Sequence, residues 1–187
     1  MKKLLVFLIL SMVNYGLLAQ IISSNIDRPY NKKLAHYKAK EYLIDNVFAD
    51  DNTNNNETVE FSIDPISSSV SGDLISLVYD CPQRNKRGII FGFFFDRWDP
   101  KYLINPYGFK SIPQAKAKEL FELIEKEIEK NRSILRGSKT LNYYFKFEDF
   151  TIIIYDDDGL MLRVMWNDYD ALWNFSAYRK AKKTILE

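Results

Sequence analysis

Residues 142–168, NYYFKFEDFTIIIYDDDGLMLRVMWND, decide the fold class. Tyr143, Phe145 and Phe147 alternate with Tyr144 and Lys146, a tight Glu148-Asp149 connection follows, and a β-branched run then spans 151–155. Asp156-Asp157-Asp158-Gly159 leads into a third run, 160–166. Asp-Gly between apolar runs is a hairpin signal, because a tight turn needs positive φ and glycine reaches it without a Cβ clash. Side chains alternate across a strand, so Leu160, Leu162, Val164 and Trp166 share one face, and Met161, Arg163 and Met165 share the other. The stretch therefore reads as three antiparallel strands with one core-facing side and one mixed side.

Upstream, 111–137 carries a helix. Ser111 and Gln114 have the spacing of a capping box, Pro113 suits a first turn, and Gly137 suits the far end. Ala117, Leu120, Phe121, Ile124 and Ile128 form an apolar stripe. A second helix is expected over 31–48, with Ala35, Ala39, Leu43 and Val47 spaced four apart on one face. Between these helices, 58–63 alternates as a strand stopped at Asp64-Pro65. A hairpin is expected from 73–79 and 88–95 around a loop at 80–87. The strand GIIFGFFF, 88–95, is apolar on both faces and should be covered from both sides, or have its second face against the first helix. A final amphipathic helix is expected within 169–187, after an aromatic entry at Trp173 and Phe175. The whole reads as an α+β domain, an antiparallel sheet of about six strands in an α-βββ-α-βββ-α order with helices packed on the sheet.

The start of the chain, MKKLLVFLILSMVNYGLLAQ, has two lysines, an apolar run and Ala19 before a polar Gln20, the layout of a secretory signal peptide cut after residue 19. The domain reading is therefore 1–19 signal peptide, 20–57 extended lead-in, helix and mobile polar loop, and 58–187 a single α+β domain on which the 31–48 helix packs. The protein is expected to be exported, periplasmic or secreted, with no membrane span after cleavage. The 187-residue chain has 26 basic and 25 acidic residues, and without Lys2 and Lys3 the balance is slightly acidic. That excludes the basic excess of a nucleic-acid binder. A lone cysteine, Cys81, forms no internal disulfide, so stability must come from the core, which the 15% aromatic content of the chain suits.

Candidate chemistry is thin. The one histidine, His36, would have to serve any Ser-His-Asp or Cys-His site, and no G-x-S-x-G motif supplies a nucleophile. No metal or cofactor is expected. Asp50, Asn52 and Asn54 have the spacing of a calcium loop, but Asn55 stands where glycine is needed and Phe61 where the bidentate glutamate belongs. No phosphate-cradling glycine loop is present, and the Asn-x-Ser/Thr patterns at Asn56, Asn131 and Asn174 carry little information. What remains is 96–110, DRWDPKYLINPYGFK, a loop rich in aromatic residues. Tyrosine and tryptophan make good binding anchors because they bury much area for little side-chain entropy. The leading expectation is a non-catalytic binding module for an unknown protein or small-molecule ligand. Its candidate surface is Trp98, Tyr102 and Tyr107, with Asp96 and Asp99 as polar partners. Two alternatives are a periplasmic inhibitor or immunity-type protein, which needs a flat patch, and a carboxylate-dependent hydrolase using a pair among Asp96, Asp99 and Asp168. The hydrolase needs a concave pocket containing an acid with a raised pKa.

Overall fold

A computed structural model describes residues 32–49, 58–94, 107–135 and 140–187. It is an α+β structure in which two four-stranded antiparallel sheets flank a long helix in sequence. A first helix, α1, runs over 32–42 and widens into a π turn, Leu43–Val47, closed by the Phe48 N–H on the Leu43 carbonyl at 2.7 Å. The amino-terminal sheet is a meander of β1 (Ser62–Ser68), β2 (Leu74–Cys81), β3 (Lys86–Phe94) and β4 (Tyr107–Pro113). Helix α2 (Gln114–Leu135) leads to the carboxy-terminal meander of β5 (Asn142–Phe147), β6 (Phe150–Asp156), β7 (Leu160–Trp166) and β8 (Tyr169–Asn174), and α3 (Phe175–Leu186) closes the chain.

Two features correct the sequence reading. The expected single six-stranded sheet is two sheets of four, in an α-ββββ-α-ββββ-α order. The additional strands are β4, which lies in the expected aromatic loop and helix cap, and β8, which lies in the expected entry to the last helix. Ser111 consequently does not cap α2. It sits inside β4, where its N–H donates to the Tyr42 hydroxyl at 3.2 Å. Asp64-Pro65 does not stop β1 either; the strand continues through a bulge between Pro65 and Ser67. An edge strand tolerates proline because one side of its backbone makes no ladder bonds. The signal peptide, the 50–57 polar loop and Gly137 lie outside the described residues.

The apolar β3 strand explains the layering. Ile90 and Phe94 face one core with Ile75, Leu77, Tyr79 and Cys81, against Ala35, Ala39 and Leu43 of α1. Ile89, Phe91 and Phe93 face the other core, shared with α2, α3 and the inner side of the carboxy-terminal sheet. The amino-terminal sheet is thus covered on both sides, as a strand without a polar face requires. Trp173 of β8 is a hub of the second core, meeting Phe91 at 5.2 Å, Phe121 at 5.7 Å and Tyr178 at 5.2 Å between ring centroids. Such offset and edge contacts add to the burial of a large ring. The end of α1 is held to the β2–β3 connection by Arg84 and Lys86, which donate to the carbonyls of Phe48 and Val47. Cations placed there satisfy carbonyls that the helix leaves unpaired.

Candidate functional site

Of the expected site residues, Trp98, Tyr102, Asp96 and Asp99 lie outside the described residues. Tyr107 opens β4 and is 37% exposed, with its ring stacked on Phe94 at 6.2 Å and edge-on to Phe109 at 5.8 Å. Phe109 reaches Tyr42 of α1 at 5.8 Å. On the opposite face of the same strand ends, Phe93 packs on Trp166 and Tyr169, which are stacked on each other at 5.5 Å. Aromatic clusters therefore brace both faces of the sheet where 95–106 departs and returns.

The acids and the thiol among the described residues have ordinary structural roles. Asp168 sits exposed in the two-residue turn between β7 and β8. Asp156 accepts the Gly159 N–H at 2.9 Å, an ordinary turn contact. Partial burial pushes the Asp149 carboxyl upward, but hydrogen bonds from Lys110 at 2.7 Å and the Trp166 indole at 2.9 Å outweigh it and hold the group below the usual carboxylate range. Cys81 is fully buried, and reactive thiols need exposure and a positive neighbour. Among the described residues, no group of three or more His, Cys, Asp or Glu side chains is placed to hold a metal ion. No helix among them is long and apolar enough to cross a membrane.

A concavity with convergent polar groups lies elsewhere, between edge strand β1 and the start of α3. It is a cleft of about 520 Å³, within the size range of small-ligand sites, lined among others by Lys32, Ile66, Ser67, Asn174, Ser176 and Lys180. Three local features shape it. The bulge at Pro65/Ser67 displaces the edge of the sheet. Ala177, a small residue on the buried side of α3, leaves room at the floor of the cleft. Ser69, fully buried, accepts the N–H groups of Gly72 and Leu74 at 3.1 Å and fixes the β1–β2 turn that forms one wall.

Asn174 precedes α3 in extended geometry, φ −63° and ψ 147°, but does not cap its own helix. Its Oδ1 instead accepts the Val70 N–H at 3.1 Å, and its Nδ2 donates to Ser176 Oγ. The first turn of α3 is left without a side-chain cap and without an acidic residue, so the positive end of the helix dipole opens toward the cleft. Ser67 on β1 and Ser76 on β2 are cross-strand partners, and both have buried hydroxyls without a hydrogen-bond partner. Leaving a buried hydroxyl unpaired costs on the order of 1–3 kcal/mol, so a group that enters the cleft and reaches Ser67 recovers part of that cost. Among the described residues no carboxylate lines the cleft, and two lysines do.

Sequence reasoning missed this site. Its residues come from α1, β1, the β8–α3 junction and α3, and no local spacing joins them. The Asn174-Phe-Ser176 pattern did hold one signal, an asparagine directly before a helix, but that asparagine is almost completely buried and engaged. Compared with known proteins, the chain matches no protein-family model, no curated protein and no solved structure.

Proposed function

We propose that the protein is an exported binding module without catalytic machinery, and that it takes a small organic anion, a carboxylate or a phosphate monoester, in the cleft between β1 and α3. One observation carries this reading: two lysines, an uncapped helix start and an unpaired buried serine hydroxyl converge on one cleft with no carboxylate among its described lining residues. Cations and backbone N–H groups at a helix start favour an anion by the same electrostatics that make such helix ends common phosphate sites. The hydrolase alternative needs an acid inside a pocket; the described lining of this cleft supplies none, and its candidates Asp96 and Asp99 lie outside the described residues.

The test is titration by two-dimensional amide NMR, with a panel of short mono- and dicarboxylates, phosphate monoesters and their neutral esters. Anions should move the amide resonances of Ser176, Ala177 and Val70 and bind more weakly at high salt. Lys180→Glu should reduce affinity at least about tenfold, the size of a lost charge-assisted contact. Equal binding of the neutral esters, or no shifts at the β8–α3 junction with any anion, overturns the proposal.

A further inference from the structure

The two sheets differ in one respect that the fold itself does not require. The amino-terminal sheet is covered on both sides, whereas the outer side of the carboxy-terminal sheet has no helix or strand upon it among the described residues. That outer side mixes apolar and charged residues. Strand register places Tyr144, Ile153, Arg163 and Leu172 in one row across the sheet, and Lys146, Thr151, Met165 and Asp170 in the next. Tyr144 is 72% exposed and Met165 37% exposed. Large apolar side chains exposed on an uncovered sheet face point to an interaction surface.

We infer that two copies of this chain associate face to face through these outer surfaces, related by a twofold axis running along the strands between β6 and β7. Rotation about such an axis keeps each row opposite itself and reverses its order. The second row then sets Lys146 of one copy against Asp170 of the other, twice, and no like charges meet. The first row sets Tyr144 against Leu172 and Ile153 against the aliphatic stem of Arg163. Arg163 is already neutralised by a bidentate pair with Asp170, at 2.5 and 2.7 Å, so it enters without an uncompensated charge. Asp170 keeps lone pairs for Lys146, which has no ion pair among the described residues. The result is an aligned sheet-on-sheet sandwich and an isologous contact.

Four strands spaced by about 4.8 Å and six residues long give a face of roughly 19 by 20 Å. This is small beside the ~800 Å² per partner of tight complexes, so association in the micromolar range is expected.

Sedimentation velocity from about 1 to 500 µM tests the inference and its geometry together. The wild-type chain should pass from monomer to dimer across that range. Lys146→Glu alone and Asp170→Lys alone should each weaken dimerisation at least about tenfold, because each creates two like-charge contacts. An equimolar mixture of the two variants should restore it, because both contacts between positions 146 and 170 in the mixed dimer are then between opposite charges. Circular dichroism and thermal melting of each variant separate this from loss of fold. A wild-type chain that stays monomeric throughout overturns the inference, as does a dimer unaffected by the single variants. Failure of the mixture to recover overturns the twofold arrangement. A partner protein bound to this face in place of a second copy gives the first of these results.

Discussion

The ring of Tyr169 lies directly against Gly108, where a Cβ added to the glycine would fall 2.6 Å from the ring carbons. This contact joins β8 of one sheet to β4 of the other and lets β8 cross the amino-terminal sheet. Gly88 has a harder neighbour, since its added Cβ would meet the Ile112 carbonyl oxygen at 2.2 Å. A half-buried side chain can turn aside, but a backbone carbonyl paired within the sheet cannot. Gly108→Ala should therefore cost about 1–2 kcal/mol and Gly88→Ala about 3 kcal/mol or more, within the range for overpacking a core. Urea denaturation of the two variants checks the ranking. Equal effects would mean that β3 and β4 separate at Gly88 without loss.

Tyr178 is fully buried and donates its hydroxyl to Glu125 of α2 at 2.6 Å, and Lys182 reaches the same carboxylate oxygen at 3.0 Å. Burial first, and the hydrogen bond to Glu125 second, push the phenol pKa above its ordinary 10.0. Burial likewise pushes the Tyr79 phenol up to about 12. Below pH 10 both groups are protonated in the folded and unfolded chain alike. Above it the unfolded chain releases protons that the folded chain retains, so stability falls as pH rises, through about 12 in the case of Tyr79. Urea midpoints at pH 8, 10 and 11 should decline for the wild type. Tyr178→Phe should be less stable at pH 8 by about 1–2 kcal/mol for the lost charge-assisted bond, and should decline less steeply. An identical slope in the variant would remove Tyr178 as a contributor.

Much of this architecture was legible in local pattern. The Asp156–Gly159 turn, the alternation of Leu162 and Val164 with Arg163 and Met165, and the apolar stripe of α2 all stand where their periods place them. β3 is buried on both faces, as a run with no polar side must be. β4 and β8 were hidden for physical reasons. β4, YGFKSIP, has an internal glycine and a terminal proline, and its final residues mimic a helix cap. β8, YDALWN, alternates correctly but fully buries only Ala171 and Trp173 in the apolar core, with Tyr169 half-buried, before helix-forming residues take over. The division into two sheets depends on non-local pairing that no window records. The cleft was illegible for the same reason, since Lys32, Ser67, Asn174 and Lys180 meet only after the sheets and helices are packed.

Glu148 and Asn167 each hold positive φ, 51° in both cases, as the first residue of a two-residue hairpin connection. Asparagine tolerates this conformation, but a glutamate Cβ crowds the following carbonyl at a cost of about 1–2 kcal/mol. Glycine removes the crowding and returns part of the gain as unfolded-chain entropy. Glu148→Gly should then stabilise by about 0.5–1 kcal/mol, raising Tm by roughly 1–4 °C for a chain of this size. Asn167→Gly should gain less. Calorimetric melting of both variants decides it, and a loss of stability in Glu148→Gly would show that the glutamate side chain makes a stabilising contact there.

Cys81 reports on how firmly α1 is seated. The thiol is fully buried at the end of β2, in the core layer shared with Ala35, Ala39, Leu43 and Phe48. That layer is distinct from the one around Trp173, which contains no α1 residue. If α1 docks as a unit on one face of the amino-terminal sheet, displacing it should open the first layer and leave the second intact. A disulfide reagent such as dithiobis-nitrobenzoate should label the native chain at least about a thousandfold more slowly than the guanidinium-unfolded chain, because labelling must wait for opening. Ala39→Asp places an unpaired carboxylate in the α1 contact, where alanine is fully buried, and should undock the helix. Labelling of Cys81 should then approach the unfolded rate while the blue-shifted fluorescence of Trp173 persists. Simultaneous loss of both signals would show that the two layers unfold as one cooperative unit. Rapid labelling of the wild type would show that α1 does not shield this core in solution.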